Sequence, residues 1–199
     1  MGGPIPLSRY LPAVLPLLLC LGAKPTLATP LTVGIGSGVT SQYSYHTNVF
    51  LSGTYEETFG TSLITSLSLD RKVGDRVSLH TNVDHFRSDG TDEISIDMAS
   101  VSVGVRRDFG TAGPYLECLP AIYIGRWSDT ALVYDLTSVK PGFQLGAGVK
   151  GPLLGLMGFE MGADFRYSAD WPSVRQHFDP SDFKGLRQLA AGVKLTFGL

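Results

Sequence analysis

The chain has 199 residues, of which 43% are hydrophobic and 17% charged, with 24 glycines and a formal charge of −2. Its charged fraction falls below the ~25% of ordinary domains and its hydropathy is near neutral, which excludes a disordered chain and a coiled coil. Sixteen basic residues against eighteen acidic ones leave no cationic excess to trade for phosphate counterions, so nucleic acid is excluded as a partner.

In chain order, residues 1–28 read as a secretory signal peptide that is removed from the working protein. The apolar run Leu11 to Ala23 carries Pro12 and Pro16 and is shorter than the ~20 residues a spanning helix needs. Cleavage is expected after Ala28, with Thr26 at the −3 position, and Ala23 is the alternative. Leu18 and Leu19 ahead of Cys20 do not suit a lipoprotein signal. Residues 29–199 then form one domain that has lost Arg9 and Lys24, leaving 14 basic and 18 acidic residues and a charge of −4 (16 − 2 = 14; 14 − 18 = −4). Its single thiol, Cys118, allows no internal disulfide.

This domain alternates with period two. Residues 31–57 hold two candidate strands, 31–41 and 47–57, followed by strands at 60–70, 76–87, 94–107, 114–126, 137–150, 156–168 and 186–199. Between Ile94 and Arg107 the phase slips, because Ile94, Ile96 and Met98 are even while Val101, Val103 and Val105 are odd. That slip predicts a β-bulge near Ala99-Ser100. The phase of 114–126 stays open. The clearest strands come last: Val139, Pro141, Phe143, Leu145, Ala147 and Val149 alternate with Lys140, Gly142, Gln144, Gly146, Gly148 and Lys150. The same pattern recurs from Met157 to Ser168 and from Gln188 to Leu199.

The non-apolar face decides the class. A solvated sandwich face is dense in Lys, Glu and Thr, whereas here Gly34, Gly36, Gly38, Gly142, Gly146, Gly148, Gly158, Gly162 and Gly192 dominate it. Glycine weakens an exposed strand, but it suits a narrow barrel whose interior has room only for side chains. The charged and polar residues on that face, Lys140, Gln144, Lys150, Glu160, Asp164, Arg166 and Lys194, include both signs and are expected to form a lumenal polar network. Tyr43, Tyr45, Phe86, Phe109, Tyr115, Trp127, Tyr167, Trp171 and Phe197 at segment ends suggest an interfacial aromatic girdle. The expected fold is all-β, an antiparallel up-and-down transmembrane β-barrel of 8 strands, with 10 as the alternative because single-chain bacterial barrels are even-numbered.

These residues resemble the small bacterial outer-membrane β-barrel family, the eight-stranded group related to OmpA and OmpX, over the whole of residues 29–199. The sharpest likeness is the end of the chain, where Gly192, Leu195, Phe197 and Leu199 are similar to the C-terminal insertion signal of such barrels. The family prefers a terminal aromatic, and this chain departs from it by ending on Leu199. The resemblance implies an outer-membrane location, insertion by the barrel-assembly machinery, contact with outer-membrane lipid and lipopolysaccharide, and short periplasmic turns with longer outer loops.

Enzymatic chemistry finds little support in the residues. His80 and Asp84 share a strand face while His85 lies on the opposite one, which suits a lumenal polar pair better than converging metal ligands. His46 and His177 fall in expected loops. Tyr167-Ser168 after Arg166 resembles the His-x-Ser motif of outer-membrane lipid A deacylases and makes Ser168 the alternative catalytic residue. Arg166 stands where that motif has its histidine, however, and arginine stays protonated and cannot act as general base. The expectation is therefore a non-enzymatic, monomeric barrel without cofactor or metal, acting through its outer loops, chiefly 169–185. A lipid A-modifying hydrolase and a soluble secreted ligand carrier are the alternatives.

Overall fold

In a computed structural model, residues 31–48, 53–89, 94–129, 134–169, 171–172 and 182–199 are described. The expected signal peptide, its cleavage site and His177 lie outside the described residues. Strands run β1 Leu31–Asn48, β2 Gly53–Lys72, β3 Val77–Asp89, β4 Ile94–Asp108, β5 Gly113–Asp129, β6 Tyr134–Pro152, β7 Met157–Ser168, a two-residue β8 Trp171–Pro172, and β9 Asp182–Gly198. β1 to β7 pair in sequence order, β7 pairs with β9, and β9 pairs back onto β1, so eight antiparallel strands close into a barrel. β8 is a short addition to β9.

The two candidate strands of 31–57 resolve into one hairpin. Residues 31–41 belong to β1, while the described residues of 47–57 divide between the end of β1 (47–48) and the start of β2 (53–57) rather than forming a strand of their own. Eight is therefore the count.

Closure fixes the slant of the strands. The ladder from Lys72 through Ser78, Arg106, Glu117, Gly146, Asp164, Ala190 and Thr40 returns to β2 at Ser62, ten residues from its start. Such a stagger requires the strands to tilt against the barrel axis. The turns 73–76, 109–112 and 153–156 lie at one end of the barrel, called here the turn end, together with Leu31 and Gly198. The opposite end is the loop end.

The barrel is inverted relative to a soluble domain. Outside, Ile35, Leu63, Leu67, Val105, Leu116, Ile122, Leu145, Met161, Leu189 and Val193 are exposed. Inside, Gln42, His80, Asn82, Asp84, Arg106, Gln144, Arg166 and Gln188 are buried. The glycines expected on the inner face make room for large neighbours. Gly148 and Gly162 sit in register beside Tyr115, and a Cβ on either would lie 2.6 or 2.7 Å from the Tyr115 hydroxyl.

Three expectations are corrected here. No bulge interrupts β4, whose pairing with β3 runs in unbroken register from Val77↔Arg107 to Asp89↔Ser95. The phase does not slip because Ile96 and Met98 face the lumen, where they are fully buried, while Val105 faces outward. Irregularities occur instead on β1, between Thr40 and Gln42 against β2 and between Ser44 and His46 against β9. The second correction concerns the girdle. Phe86 and Tyr115 are inside the barrel, at 1% and 5% exposure, because they occupy inward positions of β3 and β5. Third, His46 lies within β1 rather than in a loop. The open phase of β5 is now fixed, with Tyr115, Glu117, Leu119, Ala121 and Tyr123 inward.

Candidate functional site

The lumen has two halves. Toward the turn end, four strands meet at one guanidinium. Arg106 Nη1 donates to Glu160 Oε1 at 2.7 Å and Asp70 Oδ2 at 3.3 Å, while its Nε and Nη2 donate to Glu117 Oε2 at 3.0 and 2.8 Å. Nη2 also lies 3.3 Å from His80 Nε2. On the other side of the ring, His80 Nδ1 lies 2.7 Å from Asp70 Oδ1. The Arg106 guanidinium stacks 4.3 Å from the centroid of the Tyr115 ring. Alternation produces this arrangement. Of the adjacent pair Arg106-Arg107, only the first falls on the inward phase of β4.

A second cluster lies nearer mid-barrel. Arg166 Nη1 donates to Asp84 Oδ2 at 2.8 Å, and its Nε and Nη2 bind Asp164. Asp84 also accepts from Asn82 Nδ2 at 2.7 Å and Ser66 Oγ at 2.5 Å. Lys194 Nζ donates to Asn82 Oδ1 at 3.3 Å, and Lys194 is in register with Glu160 of the first cluster on the neighbouring strand. Such buried ions persist because each is paired with an opposite charge. Removing one partner leaves an uncompensated charge in a medium of low dielectric.

Toward the loop end the lumen is apolar. Ile64, Phe86, Ile96, Met98, Ala121, Tyr123 and Leu186 form one buried cluster. Amides mark the border between the halves: Gln144 Oε1 accepts from Ser102 Oγ at 3.1 Å, and Gln188 Nε2 approaches Met98 Sδ at 4.0 Å. From the turn end, a cavity of about 340 Å³ bordered by Lys72, Asp108, Lys150 and Thr196 reaches inward as far as Asp70 and Glu160. Fully buried Arg106 and, further on, Phe86, Ile96, Met98 and Tyr123 occupy the space beyond.

No family model matches the chain, and no curated protein does. Solved structures do. Neisserial surface protein A is 13% identical, with a TM-score of 0.55 over 83% of this chain and 96% of that one. The outer membrane protein OprG of Pseudomonas aeruginosa is 9% identical, with a TM-score of 0.59 over 85% and 96%. The outer membrane protein AlkL, solved in lipid bilayers, is 14% identical, with a TM-score of 0.53 over 100% and 97%. The chain has the fold of the eight-stranded outer-membrane barrels.

Within this barrel the expected network residues occupy different places. Gln144, Glu160, Asp164 and Arg166 enter the two halves as described, and Lys194 joins them. Lys150 sits at the turn-end mouth, 2.6 Å from Asp108. Lys140 is on the inward phase of β6, in register with Tyr123 and apart from both ionic clusters. Gly192 lines the inner wall beside Gly38, whereas Leu195 and Leu199 are exposed outside. Ser168 is buried on the inner side in register with Leu186. His80 pairs with Asp70 rather than Asp84, and His85 points outward to Asp97 at 2.8 Å. Among the described residues, no group of His, Cys, Asp or Glu is arranged to hold a metal ion.

The hub residue Arg106 and its partners Asp70 and Glu117 are absent from the set expected on sequence grounds. β2 and β5 alternate too loosely to show which residues face inward. A usable signal was nonetheless present: extending the inward phase of Ser100 and Ser102 by two steps of two reaches Arg106.

Proposed function

We propose that this chain is an outer-membrane protein that spans the membrane as a barrel with a filled lumen and acts through its surface rather than by passage or catalysis. The observation that carries the reading is the inversion: an apolar exterior around a lumen occupied by paired charges and buried aromatics. In this reading residues 1–28 direct export and are removed. Gly192, Leu195, Phe197 and Leu199 present the last strand to the assembly machinery, and the monomer contacts membrane lipid and lipopolysaccharide while its outer loops carry the structural or surface-binding role. The inward, buried hydroxyl of Ser168 and the engagement of Arg166 by two carboxylates argue against ester hydrolysis at the lipid face.

The test is fractionation together with reconstitution. Recovery in outer membranes, heat-modifiable migration, and bilayers that show no porin-like conductance are the expected results. Recovery as a detergent-free soluble protein would overturn the reading, as would large steady conductance or hydrolysis of lipid A that is lost in Ser168→Ala.

A further inference from the structure

The turn-end rim is lopsided. Outside the lumenal mouth, which Lys72, Asp108 and Lys150 border, it carries Arg71, Arg76 and Arg107 against Asp75 on β2, β4 and the turn between β2 and β3, with Val73 amid the charges. There the outward apolar residues of the strands stop at Leu69, Val77 and Val105, and beyond them Val73 and Phe109, 65% and 47% exposed, stand singly among the basic side chains. On β6, β7 and β9 no outward charge closes the apolar wall. It passes from Val149, Met161 and Leu195 into Leu153, Leu154, Leu156 and Leu199, and the last three are 78%, 79% and 77% exposed.

These leucines are held in place. Leu153 N donates to Met157 O at 2.9 Å and Met157 N to Leu154 O at 2.8 Å, Gly155 takes the positive φ of 57° that the turn requires, and Gly198 N ties β9 to Leu156 O at 2.9 Å. They also project beyond the basic rim. A rise of ~3.3 Å at a tilt of ~40° gives about 2.5 Å of height per residue. Gly148 shares a ladder with Asp108 through Tyr115, and Leu154 lies six residues further on. After allowing for the climb of the ladder over two strands, Leu154 stands on the order of 10 Å beyond Asp108.

We propose that the β6–β7 turn and Leu199 form a foot covered by the turn-side lipid leaflet, with the basic rim of β2–β4 at that leaflet's phosphates, so that the barrel sits inclined toward β6 and β7. The inference rests on the membrane-spanning reading above and deepens it. Lipid is the fitting occupant for two reasons. The leucines continue without a break the wall that lipid would already cover, and long basic side chains on the opposite rim match anionic headgroups. Inclination is the ordinary response of a membrane element whose apolar surface is longer on one side.

The test uses the full chain with Cys20→Ser and Cys118→Ser, carrying a nitroxide at Leu154→Cys, Val73→Cys or Leu145→Cys, in vesicles of phosphatidylethanolamine and phosphatidylglycerol. Relaxation by oxygen, which partitions into lipid, is compared with relaxation by a water-soluble nickel chelate. The expected result is a site at 154 that matches 145 in favouring oxygen and a site at 73 that favours nickel. Nickel access at 154 with oxygen access at 145 would overturn the foot and leave the spanning reading intact. Nickel access at both would bring down the spanning reading and the foot with it. Shielding of 154 from both reagents that appears only in native membranes would assign the foot to a protein partner and overturn the lipid proposal.

Discussion

The two halves of the lumen fill the same narrow space by opposite means. At the turn end, Arg106 binds three carboxylates and a histidine. At the loop end, Phe86, Ile96, Met98 and Tyr123 pack as a soluble core would. The difference teaches that an inverted barrel does not need a wholly polar interior. It needs its buried ions gathered with their opposites, as around Arg106 and Arg166, and apolar packing serves equally where no such ions are present. The halves should also differ in how they fail. The ionic half depends on complete sets, whereas the apolar half depends on volume.

Substitutions can sharpen or break that contrast, read as shifts in the urea unfolding of the detergent-refolded barrel. The largest effect is expected for Arg106→Met, which strands Asp70, Glu117 and Glu160 and should cost about 3–5 kcal/mol. Adding Glu117→Gln and Glu160→Gln should restore much of that loss. If the triple variant is as unstable as the single one, the ionic half is not held together by charge matching. Phe86→Ala should cost a comparable ~3–5 kcal/mol, with no rescue by any charge change. Gly148→Val, which forces a branched side chain against Tyr115, should cost about 1–3 kcal/mol. Met98→Leu conserves volume within the apolar half and should stay below ~1.5 kcal/mol, and a larger loss would mean that this half, too, is specified atom by atom. Cys118→Ala, on the exposed outer wall of β5, should fall within about 0.5 kcal/mol of the parent.

Much of this architecture was legible in sequence where one face is apolar and the other is not. β6, β7 and β9 were read with their phase because glycine and charge alternate strictly with Leu, Val and Phe. The inward places of Gln144, Glu160, Asp164 and Arg166 followed from that phase. Legibility failed where both faces are apolar. On β4, inward Ile96 and Met98 mimic a phase slip because the loop-end lumen is itself hydrophobic. On β5, inward Leu119 and Ala121 alternate with outward Leu116 and Ile122, so period two carries no sign of which side is which. The ionic hub was missed for a further reason. Its members come from β2, β3, β4, β5 and β7, and only closure of the sheet shows that they converge.

That closure also orders the assembly of the molecule. Seven of its ladders join barrel strands that follow one another along the chain and can zip locally, hairpin by hairpin. The β1–β9 ladder alone joins distant segments, pairing Thr32 with Gly198, and it meets the loop-closure entropy of the whole sheet in a single step. Until it forms, β1 and β9 each present an unpaired edge open to a neighbouring chain. The seam along Ile35, Gly38, Gly192 and Leu195 is therefore where folding speed and resistance to misassembly are set, whatever the finished barrel's equilibrium stability.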